Sequence, residues 1–126
     1  MSGLDIYSHD EPGFKPMVNF GHWRTAISNG PEVYERKVIK SLSRHLETDE
    51  VFILACGSCL LLTAGNGDKP GEVKKTWMEP GLMYNVTKAT WHGTISLPCT
   101  KVIIVENRET GPENSETLDI AEPISL

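Results

Sequence analysis

Between Val51 and Glu106 the chain interrupts its apolar, β-branched runs with turn residues every 8 to 12 residues or so. No other feature narrows the possible folds as much. The runs are Val51–Leu54, Leu60–Thr63, Val73–Met78, Leu82–Val86, Thr90–Leu97 and Val102–Glu106. Between them lie Gly57-Ser58, the loop Asn66-Gly67-Asp68-Lys69-Pro70-Gly71, Glu79-Pro80-Gly81, Thr87-Lys88-Ala89 and Pro98-Cys99-Thr100. Strands this short bury a face only by pairing into sheets that pack on one another, so the pattern predicts an all-β sandwich or barrel. Val51–Leu54 and Leu60–Thr63 flank Gly57-Ser58 as the two arms of a tight hairpin would.

Outside this region the signals are weaker. His22–Ser28 reads as a first strand, ended by the turn Asn29-Gly30-Pro31. In Glu32–Leu42 the apolar residues Tyr34, Val38 and Leu42 recur every four, which predicts a helical turn followed by a strand over Ile39–His45. Residues 1–20 carry Pro12, Gly13 and Pro16 and read as an irregular arm. The stretch 107–126 is a polar, Pro-interrupted tail with one edge strand near Thr117–Ile120. The whole of 1–126 is read as one domain whose barrel core is 36–106.

A net charge of −5, with no basic cluster beyond Lys74-Lys75, argues against a nucleic-acid or anionic-membrane surface and leaves small molecules or proteins as the expected partners. The longest low-polarity run, Val51–Ala64, is 14 residues, short of the roughly 20 that span a bilayer. The first residues lack a basic start and an apolar segment, and the three cysteines are an odd number. A cytoplasmic protein with reduced thiols is the expectation.

The candidate chemistry starts at Ser43-Arg44-His45-Leu46-Glu47-Thr48-Asp49-Glu50, which precedes an apolar run. On a strand, Ser43 and His45 share a face, as do Glu50, Phe52 and Leu54. A sharp bend over Leu46–Asp49 would turn His45 and Glu50 into one interior and leave Glu47 and Asp49 in water. A buried carboxylate there needs a cation or hydrogen-bond donors.

His45, four residues, Glu50, six residues, Gly57 reproduces the spacing of the second half of the first motif of the cupin superfamily, and Gly81 and His92 match its second motif. The chain resembles that family over about residues 36–106. Where the family's first motif has its first histidine the chain has Ser43, and the Pro-x-Gly and Asn of the second motif are replaced. The resemblance implies a cupin-type double-stranded β-helix, a jelly-roll barrel, preceded by the irregular arm. It implies His45, Glu50 and His92 as ligands of one divalent metal, and it implies a homodimer.

Two histidines and one carboxylate with open positions suit Fe, and Mn, Ni or Zn also fit such a set. The expected function is to bind a small oxygen-rich molecule, a sugar derivative or organic acid, with Glu50 or Tyr84 handling protons. Ser43, Phe52, Trp91 and Thr94 are the expected pocket. Isomerase, lyase and dioxygenase chemistry stay open, as does a ligand-binding or structural cupin without metal. Cys56 and Cys59 read as strand residues facing each other rather than as a redox pair or half a zinc knuckle. No nucleophile elbow, phosphate loop or dinucleotide fingerprint occurs.

Overall fold

The computed structural model describes residues 3–126. Among the described residues ten strands run in order: β1 Gly13–Phe20, β2 Trp23–Asn29, β3 Val38–His45, β4 Glu50–Cys56, β5 Cys59–Thr63, β6 Lys74–Trp77, β7 Tyr84–Val86, β8 His92–Ser96, β9 Lys101–Asn107 and β10 Ser115–Ser125. A single 3₁₀ turn, Pro112–Asn114, precedes β10. Among the described residues no helix is long and apolar enough to cross a membrane.

The strands form two antiparallel five-stranded sheets. One has the order β1-β2-β9-β4-β7, the other β10-β3-β8-β5-β6. From β3 to β5 and again from β7 to β10 the chain changes sheet at every connection, which is how a jelly roll closes. Alternation then sorts the side chains. Ala26, Phe52, Leu54, Val102 and Ile104 of the first sheet meet Cys59 and Leu61 of the second in a buried core, with Met78 and Val86. The residues between them on the second sheet, Leu42, Leu60, Leu62 and Ile95, face the other way. There Trp91, Val73 and the β10 residues Ile120 and Ile124 pack over them in a second apolar layer.

Three local expectations are corrected. Gly57-Ser58 does not close a hairpin, because β4 and β5 lie in different sheets. It is a corner between sheets, so Cys56 and Cys59 do not face each other: Cys56 is exposed and Cys59 buried. Gly57 is needed at this corner, with φ +85°, and a Cβ there would sit 2.4 Å from the Thr100 Cα. The helical turn after Pro31 is absent and the chain runs irregularly to Val38. The four-residue spacing of Tyr34, Val38 and Leu42 has no helical partner face, since Tyr34 is 60% exposed while Leu42 is buried.

The irregular arm occupies residues 3–12, and Gly13–Phe20 beyond it forms β1. Two prolines had masked that strand, but β1 is an edge strand, where a missing N–H is tolerated. The tail's edge strand is likewise longer than expected, because β10 pairs with β3 from Ser115↔His45 to Ser125↔Val38 around an irregularity.

Candidate metal centre

His45 is the last residue of β3 and Glu50 the first of β4, so the bend between them carries the chain from one sheet to the other. The bend is held at several points. The Ala89 N–H donates to the His45 carbonyl at 2.8 Å, and the exposed Asp49 carboxylate accepts from the Lys88 N–H and the Asn85 side chain at 2.8 and 3.1 Å. Those two bonds lower the Asp49 pKa. Glu47 is exposed too. His92 opens β8 and pairs across the second sheet with Ser43.

His45, Glu50 and His92 thus converge at one end of the barrel from both sheets. Their ligand atoms all lie within 4.8 Å of one another. The Glu50 Oε1 is 3.1 Å from the His45 Nε2 and 2.8 Å from the His92 Nε2. Burial pushes the Glu50 carboxyl up, but the hydrogen bonds from the two imidazoles outweigh it and bring its pKa down to about 2. The bond to Glu50 in turn raises His45, against the opposing effect of burial.

The outer nitrogens are also engaged. His92 Nδ1 lies 2.9 Å from the Thr90 carbonyl and must donate to it. In a neutral ring the Nε2 then presents a lone pair to a carboxylate oxygen, so a proton or a cation belongs between them. His45 Nδ1 lies 2.8 Å from the Ser115 hydroxyl. An imidazole pinned through its outer nitrogen with Nε2 turned inward is the arrangement metal-ligating histidines show. The donor set therefore fits a divalent ion.

Two residues that no sequence argument selected complete the site. Glu106, near the end of β9, is 6% exposed, and its carboxyl is close enough to Glu50 for the two to shift each other's pKa. Arg24 on β2 reaches it with both Nε and Nη2, at 2.9 and 2.6 Å. Burial first, then the Glu50 charge, raise the Glu106 pKa, and Arg24 only partly offsets them. Of the two neighbouring carboxyls, Glu106 is thus the one whose pKa is raised and Glu50 the one whose pKa is lowered. Its signal was in the alternation: Val102 and Ile104 face the core, so Glu106 must as well. Arg24 shares a face with Ala26, but nothing marked it among the chain's arginines.

A cavity of about 570 Å³ is lined by Ser43, His45, Glu50 and Glu106, by Ser115 and Thr117, and by Phe14, Arg24 and Thr110–Pro112, while His92 lies outside its lining. The Phe52 ring stands edge-on to His92, 5.9 Å away, in the core beneath. The other expected residues lie elsewhere. The Tyr84 hydroxyl accepts the Glu79 N–H and borders a different depression. Trp91 is fully buried in the second apolar layer under the Arg44 guanidinium, and Thr94 borders a groove near Gly30 and Pro31.

No protein-family model and no curated protein sequence matches this chain. Solved structures do match it in shape. A cupin-2 domain-containing protein from Shewanella frigidimarina is 18% identical, with 80% of this chain and 85% of that one covered at a TM-score of 0.55. WlaRA, a TDP-fucose-3,4-ketoisomerase from Campylobacter jejuni, is 12% identical over 83% and 85%, at 0.58. The capsular polysaccharide assembling protein CapF from Staphylococcus aureus is 11% identical at 0.60; 90% of this chain is covered but it spans only 34% of CapF. The fold is that of the cupin jelly roll, two antiparallel sheets packed face to face.

Proposed function

We propose that the protein binds one divalent metal, Fe, Mn, Ni or Zn, through the Nε2 atoms of His45 and His92 and the Glu50 carboxylate. It acts there on a small oxygen-rich molecule, a sugar derivative or organic acid. The observation that carries this is the convergence of the three ligand atoms within 4.8 Å while the Thr90 carbonyl fixes the outer nitrogen of His92. The ion, when bound, supplies a Lewis acid that draws charge from a substrate oxygen.

The remaining work falls to the chain. Ser43, Ser115 and Thr117 offer hydroxyls to substrate oxygens along one wall of the cavity. Glu106 presents its carboxyl to the cavity, and Arg24 fixes the orientation of that group. Glu106, rather than Tyr84, stands where a proton can pass to or from bound substrate. That placement supports isomerisation or elimination, and the ketoisomerase among the similar folds supports the same reading. The free cysteines fit a reducing compartment, the cytoplasm.

A metal-free ligand-binding cupin is the second reading. It draws support from Glu50 being satisfied by two imidazoles alone and from Ser43 standing in a histidine's place. Elemental mass spectrometry of the untagged protein beside a His45→Ala, His92→Ala double variant decides between the two. Near-stoichiometric metal in the natural sequence and none in the variant is expected. Negligible metal in both, after exposure to Fe, Mn, Ni and Zn, leaves the second reading.

A further inference from the structure

The corner at Gly57 parts Cys56 from Cys59, and the fold brings Cys56 to a different thiol. Cys56 ends β4, while Cys99 lies in the turn between β8 and β9, 43 residues further along the chain. Both are exposed. The Cys56 thiol donates to the Cys99 carbonyl, with the sulfur 3.7 Å from the oxygen. Both cysteines line one depression of about 340 Å³, together with Asp10, Glu32 and Lys101. It lies at the end of the barrel away from the metal centre, since Glu50 and His92 open the strands that Cys56 and Cys99 end or follow. Cys59 is placed differently. It is buried in the core, accepts from the Ser96 hydroxyl at 3.5 Å, and has its pKa raised by burial.

The backbone on both sides is held in place. Cys56 pairs with Lys101 at the end of the β4–β9 ladder. The Leu97 N–H donates to the Ser58 carbonyl and the Gly30 N–H to the Thr100 carbonyl, each at 3.0 Å. Cys99 has a φ of +62°, a left-handed conformation that residues with a Cβ seldom adopt. That conformation turns its carbonyl onto the corner, 2.6 Å from where a Cβ on Gly57 would stand. A carbonyl oxygen is about 2.4 Å from its own Cα, so the Cys56 sulfur lies within about 6 Å of the Cys99 Cα. Rotation of the two side chains, both in an open depression, covers that distance.

We propose that Cys56 and Cys99 form a dithiol that a hydroperoxide closes to a reversible disulfide. One sulfur, as thiolate, attacks an oxygen of hydrogen peroxide and becomes a sulfenic acid as the O–O bond breaks. The other oxygen leaves as hydroxide and takes up the proton that the thiol released. The second sulfur then displaces the sulfenic hydroxyl, which leaves as water with the second thiol's proton. Two electrons pass from sulfur to the peroxide, and two thiols and one hydrogen peroxide become one disulfide and two waters. A free thiol of the surroundings reopens the bond by exchange. In a reducing compartment such a bond is transient and registers oxidant rather than holding the fold. It joins the end of β4 to the turn after β8 and leaves the metal centre's own residues untouched.

The test exposes the full chain to a small excess of hydrogen peroxide, caps the remaining thiols with N-ethylmaleimide in denaturant, and reads the intact mass. The reduced protein takes three caps, one for each free cysteine. After peroxide the chain is expected to be about 2 Da lighter before capping and to take a single cap, on Cys59. A peptide map made without reductant should show the Cys56 and Cys99 peptides joined, and dithiothreitol should restore all three caps. Cys59→Ser should form the same bond. Cys56→Ser and Cys99→Ser should each lose it and stop at a sulfenic acid that dimedone traps. The joined peptides are read in the natural sequence, so the outcome does not depend on how a variant folds. Three caps after peroxide, a bond that includes Cys59, or one that joins two chains overturns the proposal.

Discussion

Glu50 sits under two opposed influences, and its position between two imidazoles decides the outcome. Its pKa of about 2 lies below the ordinary 4.5, so in the metal-free protein its charge stabilises the fold fully above pH 4.5 and progressively less as pH falls toward 2. The amount at stake is on the order of 3 kcal/mol. His45 acts in the opposite sense. Its pKa is raised above 6.5, so its contribution is complete below pH 6.5 and fades as pH climbs through the raised value. The melting temperature of chelated protein should therefore peak between these two ranges. Glu50→Gln should flatten both flanks, since it removes the charge that the histidines pair with. A profile that keeps both flanks in Glu50→Gln would remove Glu50 from this role. At this scale the sequence was informative about His45, Glu50 and His92 because their spacing survives in the chain. It was silent about Arg24, because a guanidinium's partner 82 residues away leaves no local trace.

The elements were legible where alternation and turn residues agreed, as over β4, β5, β8 and β9. Which sheet a strand joins was not legible. Gly57-Ser58 has the composition of a hairpin turn, yet the same residues serve a corner between sheets, and only the long-range pairing β4–β9 against β5–β8 distinguishes them. The corner also has a steric signature that a hairpin lacks. The Ser58 N–H donates to the Thr100 hydroxyl at 2.9 Å, and the same hydroxyl donates to the Ser58 carbonyl. Thr100 is thereby drawn against Gly57, closer than a Cβ allows. Gly57→Ala should cost about 3 kcal/mol or more, combining the left-handed backbone with the clash, read as a drop in the urea midpoint. Gly65→Ala serves as the comparison. Gly65 also has a positive φ, of +71°, but no atom lies within 4 Å of its added Cβ, so it isolates the backbone component. Equal losses at the two positions would mean that the packing of Thr100 contributes nothing.

Across the whole molecule, the candidate ligands come from both sheets: His45 and His92 from the second and Glu50 from the first. An ion held by all three ties the sheets together at the cavity end, so metal binding and fold stability are linked. Ser43 is the place to strengthen that link. It lies across from His92 in the sheet and borders the cavity, and its hydroxyl is engaged 2.8 Å from that of Thr117. A histidine there points to the same space as His45, two residues on along the same face of β3. Ser43→His should therefore add a fourth ligand. Each tenfold gain in affinity adds about 1.4 kcal/mol to the stability of the loaded protein. The expected result is a larger rise in melting temperature on adding Zn or Mn to Ser43→His than to the natural sequence, with no such difference in chelator. Adding His45→Ala to Ser43→His should reduce the gain without abolishing it, since three of four ligands remain. A Ser43→His variant that gains nothing from metal, while folding as the natural chain does, would show that the cavity end is not organised around an ion.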